Sequence, residues 1–131
     1  MKVKKKVLII TDDAEATRKL ALDIAAVIKN NEVIVKAASD FMGNDILPAE
    51  AFFLSCEKPG PDSFRQLEDV LKHINLAGRP CGVFTPGSEK AAKYLAGLVK
   101  DCEAALHPEY LFAGSGTDIK AWAQNVVSNS F

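Results

Sequence analysis

The chain lacks the features that mark secreted, metal-binding and membrane proteins. Its three cysteines, at positions 56, 81 and 102, form neither an even disulfide set nor a metal-binding spacing. This cysteine usage is typical of a reduced, cytoplasmic setting. No apolar run approaches the ~20 residues that a membrane-spanning helix needs. No apolar h-region follows the basic start at residues 2–6, so we expect neither a secretory signal nor a membrane partner.

Strong net charge is also missing. The formal net charge of −1 gives no reason to expect a nucleic-acid partner, and the lysines of residues 2–6 are too few for a polybasic arm. Hydrophobic residues make up 48% and charged residues 25% of the chain, which is typical of globular rather than disordered proteins. We therefore expect residues 1–131 to form one folded domain, which can bury roughly two-thirds of its unfolded surface.

What the chain has is an alternation of short apolar runs with segments of helical period. Residues 7–10, 51–54 and 81–84 are apolar runs typical of strands that are buried on both faces of a parallel sheet. Residues 32–36 alternate polar and apolar side chains, which predicts an edge strand. Residues 110–112 predict a short fifth strand.

Apolar side chains recur at three- and four-residue spacing after the first, third, fourth and fifth strands, which predicts an amphipathic helix in each place. These stripes comprise Leu20, Ile24 and Ile28; Phe64, Leu67, Leu71 and Ile74; Ala91, Leu95, Leu98, Cys102 and Leu106; and Ile119, Trp122, Ala123, Val126 and Val127. Proline cannot continue a helix, so Pro108 should end the third of them just after Leu106. Thr117 is the expected N-cap of the last helix, and residues 39–50, rich in turn formers, are expected to form a loop.

This order of elements predicts a doubly wound α/β sandwich of three layers, with a five-stranded parallel sheet between two layers of helices. Ligands of such folds bind at the loops that follow the carboxyl ends of the strands. The candidate binding residues are therefore the polar and small residues of those loops, and no catalytic residue or metal ligand is assigned among them. They are Thr11, Asp12, Asp13 and Thr17 after the first strand; Ser55, Cys56 and Glu57 after the third; Thr85, Gly87 and Ser88 after the fourth; and Gly114 and Ser115 after the fifth.

One segment carries a family resemblance. Residues 74–84, with the order Leu76, Gly78, Arg79 and then a strand ending in Phe84, resemble the flavodoxin segment that leads into the fourth strand. Residues 85–88 stand where flavodoxins have a small glycine-containing loop close to the flavin. The similarity extends loosely over most of the chain. It implies the strand order 2-1-3-4-5, shared by flavodoxins and response-regulator receivers, and FMN as the cofactor.

The first loop departs from that family. Flavodoxins hold the FMN phosphate there with a loop rich in Thr, Gly and Asn, whereas residues 11–17 contain no glycine and carry the carboxylates of Asp12, Asp13 and Glu15. These would occupy the positive end of the first helix themselves and repel a phosphate. A like-charge pair at 4 Å costs about 1 kcal/mol in water and several near a surface. We therefore expect no tight FMN binding in the usual pose, and we expect a small anionic ligand to prefer Gly114 and Ser115 together with Ser88.

A receiver is the other family of this strand order. Asp12, Asp13 and Thr85 match its acidic pair and its hydroxyl by position, but the phosphoacceptor position holds no Asp and no Lys follows the fifth strand. A pseudo-receiver, with Glu57 imitating a permanent negative charge, stays open. The same three acids, Asp12, Asp13 and Glu57, could hold Mg²⁺, or could simply complement the first helix dipole and stay solvated.

The interpretation favoured by the sequence is a flavodoxin-like protein with a degenerate cofactor loop. It would be a non-catalytic binding or interaction module, or a weak flavin binder, with a protein or a small anion as its partner. An FMN-dependent electron carrier and a pseudo-receiver signalling domain are the two alternatives.

Overall fold

A computed structural model describes residues 4–129, so Lys2 of the basic start lies outside the described residues. Its strands are all parallel and form one sheet in the order β2-β1-β3-β4-β5, in which β6 also pairs with β4. The six strands are β1 (Lys6–Thr11), β2 (Glu32–Ala37), β3 (Ala51–Ser55), β4 (Pro80–Thr85), β5 (Ala105–Leu106) and β6 (Leu111–Phe112). The predicted strand order and α/β class are confirmed.

The helices cover both faces of the sheet. Within residues 4–129 they are α1 (Glu15–Val27), α2 (Gly43–Ile46), α3 (Arg65–Lys72), α4 (Glu89–Asp101) and α5 (Ile119–Ser128), with 3-10 turns at Ala38–Asp40 and Asp62–Phe64. One core lies between the sheet and α1 and α5, and the other between the sheet and α3 and α4. None of these helices is long and apolar enough to cross a membrane.

The fifth strand differs from its prediction. It consists of two short pieces, with β5 beside the start of β4 and β6 beside its end. The predicted helix end at Leu106 is wrong, because α4 ends at Asp101 and Glu103 adopts a left-handed conformation with φ of 63°. The backbone N–H of Ala105 then donates to the carbonyl of Arg79 at 2.8 Å. Leu106 continues the apolar spacing of the helix, but its backbone belongs to the sheet.

Two smaller predictions also need correction. The N-cap of α5 is Asp118, whose carboxylate accepts from the backbone N–H of Ala121 at 3.2 Å, and not Thr117. The segment 39–50 is not only a loop, because it contains α2. The Asp45 carboxylate holds that short helix by accepting from the backbone N–H of Met42 at 2.8 Å.

The segment that carries the family resemblance has a mechanical role. Gly78 has φ of 82°, a conformation that only glycine adopts without strain. The next residue, Arg79, donates from Nη1 to the carbonyl oxygens of Ile46, Leu47 and Ala49 at 2.9, 2.8 and 3.0 Å. Because those carbonyls lie just before β3, one guanidinium ties the start of β4 to the connection that leads into β3.

Candidate functional site

The candidate residues lie along the carboxyl edge of the sheet. Thr11 at the end of β1 is opposite Ser55 at the end of β3, and Ser55 is opposite Phe84 of β4. Thr85 is in turn opposite Phe112 of β6. The loops that follow these four strands therefore meet at one edge, as expected for a doubly wound sheet.

Asp12 fastens the first loop to the third. Its side chain is only 7% exposed, and its two carboxylate oxygens accept from the backbone N–H groups of Glu57 at 2.8 Å and Ala14 at 3.3 Å. Its own backbone N–H donates to the carbonyl of Ser55 at 3.2 Å. The sequence marked this residue as a negative charge beside a ligand, but it did not reveal this bridge. An Asp directly after a buried strand was the available signal.

The first helix begins without a side-chain cap at Ala14. By contrast, α4 begins at Ser88, whose hydroxyl accepts from the backbone N–H of Ala91 at 3.0 Å. The first turn of α1 is thus a place where a helix N-terminus favours negative charge. Glu15 lies in that turn and Asp13 just before it, both exposed, so the chain supplies negative charge there itself.

Two hydroxyls near this loop are buried and unpaired. Thr17 and Ser55 are fully buried, and among the described residues neither side-chain oxygen has a hydrogen-bond partner. Ser55 continues the alternation of Ala51 and Phe53, which pack on α1 and α5, so its hydroxyl faces the helix layer that contains Thr17. A buried polar group without a partner costs about 1–3 kcal/mol. Buried unpaired hydroxyls are uncommon in native proteins, so these two mark an unusual place in the core.

Cys56 and Thr85 lie beneath the surface of the edge. The Thr85 hydroxyl donates to the carbonyl oxygen of Cys56 at 3.0 Å. Cys56 is fully buried, and its burial, together with the nearby charge of Asp12, raises the pKa of its thiol to about 12. A pKa raised in this way disfavours the thiolate, which is the nucleophilic form of cysteine.

The remaining candidates form the exposed rim. Asp13, Glu57, Gly87, Gly114 and Ser115 are exposed. Gly114 has φ of 75°, a value that favours glycine in this tight loop. The Ser115 hydroxyl donates to the side-chain oxygen of Thr117 at 3.1 Å. Anion binding by Gly114 and Ser115 with Ser88 stays a prediction, although the Ser88 hydroxyl already caps α4 and the Ser115 hydroxyl already bonds Thr117.

Neither a metal-binding cluster nor a cavity identifies a ligand site among the candidate residues that the structure describes. Within residues 4–129 no group of three His, Cys, Asp or Glu side chains is arranged to hold a metal ion. A cavity of about 600 Å³ lies near the opposite end of the strands, beside Lys5, Ile28 and Val127. A smaller one of about 110 Å³ lies beside Leu8 and Ile34. Neither is lined by a candidate residue.

Comparison with known proteins shows the fold. No protein-family model matches the chain, and no curated protein matches it. Among solved structures it is similar to oxidised Flavodoxin 2 from Bacillus cereus, with 19% identity, a TM-score of 0.80 and coverage of 96% of this chain and 99% of that one. The flavodoxin of Streptococcus pneumonia TIGR4 has 16% identity, a TM-score of 0.78 and coverage of 96% and 99%.

A third structure adds a ligand to the comparison. A Fusobacterium nucleatum flavodoxin variant bound to flavin mononucleotide has 12% identity, a TM-score of 0.74 and coverage of 98% of each chain. These TM-scores and coverages show the flavodoxin-like fold over nearly the full length of the chain, and identities this low show the fold alone.

Proposed function

We propose that this chain is a flavodoxin-like binding module whose first loop is closed by its own carboxylate. It catalyses no bond-making step and holds FMN weakly or not at all. The observation that carries the proposal is the buried Asp12 side chain, whose two oxygens accept the backbone N–H groups of Ala14 and Glu57. A carboxylate in this position occupies two backbone N–H donors that could otherwise bind an external anion.

Electrostatics at the first loop support this proposal. A phosphate at the start of α1 would approach Asp12 and the exposed carboxylates of Asp13 and Glu15. At an effective dielectric of 20, one pair of like unit charges 4 Å apart repels by about 4 kcal/mol. A helix N-terminus returns only about 0.3–1 kcal/mol, up to ~2 when partly buried. Asp12 is 7% exposed, so solvent screens its charge less than it screens the other two.

A protein partner would meet a rim of charged side chains at this edge. Asp13, Glu57 and Lys58 are exposed there. Charges on a rim of this kind act mainly on association rate and partner choice. A partner with a basic surface opposite the two acids is the complementary one.

An FMN-dependent electron carrier is the second candidate function. It is supported by the uncapped start of α1 and by the unpaired hydroxyl of Thr17 in its first turn. A phosphate that reached the helix could use both, provided that the loop opened and Asp12 released its two N–H groups. The pseudo-receiver alternative has less support, because the hydroxyl of Thr85 is engaged by the carbonyl of Cys56.

Titration with FMN separates the first two candidates. Flavin fluorescence is followed with the unmodified chain, Asp13→Gly, Asp12→Asn and the double variant. Asp23→Asn, which removes an exposed acid further along α1, is the matched control. We expect negligible binding by the unmodified chain and the control at micromolar FMN. Affinity should rise at least tenfold in the double variant, since ~1.4 kcal/mol corresponds to a factor of ten.

Two results would contradict the proposal. The first is an unmodified chain that purifies yellow and holds FMN at submicromolar concentration. The second is a double variant that keeps its fold by circular dichroism but gains no affinity, which would show that the carboxylates do not block the site.

A further inference from the structure

The strand β2 has a free edge. Among residues 4–129 it pairs with β1 only, in parallel. The backbone N–H of Glu32 donates to the carbonyl of Lys5 at 2.9 Å, so Glu32 directs its backbone groups towards β1. Successive residues of a parallel strand alternate in this respect. Val33 and Val35 therefore direct their N–H and C=O groups outward, which leaves a row of groups able to pair with another strand.

The side chains of β2 are divided between the two faces of the sheet. Val33 and Val35 pack against the core beneath α1. Glu32, Ile34 and Lys36 lie on the other face, where the Ile34 side chain is 55% exposed. α2 on that side has only four residues, and it leaves this exposed isoleucine uncovered. An exposed, β-branched edge strand of six residues is a surface suited to strand pairing.

The sequence of this strand is complementary to itself. When a second copy is placed antiparallel about Ile34, Glu32 of each copy lies opposite Lys36 of the other, and Ile34 lies opposite Ile34. A two-fold centred on Val33 would instead place Lys36 opposite Asn30, and one centred on Val35 would place it opposite Ile34. Of these three registers, only the one about Ile34 forms opposite-charge pairs. Opposite charges directly across an antiparallel pair are stabilising, and like charges destabilise it.

We propose that β2 is the interface of a homodimer, in which two copies pair antiparallel about Ile34 and join their sheets into one. The outward backbone groups of Val33 and Val35 fit this register. Val33 of one copy lies opposite Val35 of the other, and the two residues exchange two hydrogen bonds. The two-fold repeats that exchange, so four main-chain hydrogen bonds form. The two Ile34 side chains then meet at a non-hydrogen-bonded position, where cross-strand side chains are closest.

Two further features are compatible with this dimer. Lys36 is held by Asp45 at 2.9 Å, and in this register its ammonium group would also face Glu32 of the other copy. Leu22 of α1, the helix that packs on β2, is 52% exposed. A two-fold axis perpendicular to the sheet would place both copies of α1, and so both Leu22 side chains, on the same side of the joined sheet. The paired strands alone form a small interface, so we expect a dissociation constant in the micromolar range.

The mass of the full chain in solution tests the proposal. Sedimentation equilibrium at about 100 µM, well above a micromolar dissociation constant, should give twice the mass of one chain. Ile34→Arg should halve that mass, because two cations would face each other at the two-fold. Leu47→Arg is the matched control, since Leu47 is an apolar residue of 54% exposure outside the strand, and it should remain dimeric.

A charge exchange tests the register. Glu32→Lys should give a monomer, because each opposite-charge pair across the two-fold would become a pair of like charges, and adding Lys36→Glu should restore the dimer. Circular dichroism verifies the fold of each variant, since Lys36 also bonds Asp45. A monomeric unmodified chain at about 100 µM would overturn the proposal. So would a folded Ile34→Arg variant that stays dimeric, or a folded double exchange that stays monomeric.

Discussion

Gly82 in the middle of β4 lies against the ring of Phe53 in the neighbouring strand. A Cβ atom on Gly82 would stand 2.8 Å from Cδ2 of Phe53 and 3.0 Å from Cη2 of Trp122. Phe53 and Trp122 also contact each other, with ring centroids 5.5 Å apart. Glycine has a low strand propensity, but the absence of a side chain at this position lets two aromatic side chains pack directly on the backbone of β4.

We predict that Gly82→Ala lowers the free energy of unfolding by about 1–3 kcal/mol, the usual cost of adding volume to a well-packed core. Urea unfolding measures the change. Gly97→Ala is a control of opposite sign, because Gly97 lies inside α4 with nothing within 4 Å of its Cβ position. That substitution should stabilise the protein by up to about 1 kcal/mol. Equal effects at the two positions would contradict the contact at Gly82.

Arg79 gives a second prediction. Replacing it by alanine removes the donor shared by the carbonyls of Ile46, Leu47 and Ala49. We expect a loss of about 1.5–3 kcal/mol of unfolding free energy, the range for hydrogen bonds to a charged group. Arg65→Ala is the control, because its side chain is 84% exposed and should matter by less than about 0.5 kcal/mol. An Arg79→Ala variant as stable as the control would show that the three bonds do not anchor the connection.

The two buried hydroxyls of Thr17 and Thr85 should respond oppositely to replacement by valine. The Thr17 hydroxyl has no partner within the described residues, so Thr17→Val should be neutral or stabilise by about 1 kcal/mol. The Thr85 hydroxyl donates to the carbonyl of Cys56, so Thr85→Val should destabilise by about 1–3 kcal/mol. Thermal unfolding of both variants checks the difference. A marked loss at Thr17 would mean that its hydroxyl has a partner in solution.

The patterns that were predicted correctly depend on burial. Continuous apolar runs identified β1, β3 and β4, and the four-residue spacing of Leu20, Ile24 and Ile28 identified the buried face of α1. These signals are strong because each such residue loses its contact with water whatever its neighbours are.

The missed features depend on backbone conformation or on a single distant bond. Leu106 fits the apolar spacing of α4, yet Glu103 turns the chain into the left-handed region and the sheet takes Leu106. Both conformations bury an apolar side chain there, so hydrophobic spacing does not distinguish them. The bond from Glu57 to Asp12 joins residues 45 positions apart, and local sequence carries no signal for such a pair.

Asp45 should make stability depend on pH. The hydrogen bond from Lys36, followed by that from the backbone N–H of Met42, lowers the pKa of its carboxyl below the ordinary value. A lowered pKa in the folded state adds stability above the unfolded pKa of about 3.9, and this gain is lost as pH falls through the folded value. Asp45→Asn should therefore cost up to about 1 kcal/mol at pH 7, since the pair is partly exposed.

The same substitution should cost less in acid, because the native carboxyl becomes protonated as pH falls below the unfolded pKa and approaches the lowered folded pKa, and the protonated carboxyl resembles the amide of asparagine. Urea unfolding of the Asp45→Asn variant and of the unmodified chain at pH 7 and at about pH 3 measures the difference. Asp23→Asn, at an exposed position on α1, should show little effect at either pH. If the cost of Asp45→Asn did not change with pH, the substitution would destabilise the protein through altered packing or hydrogen-bond geometry and not through the lost negative charge.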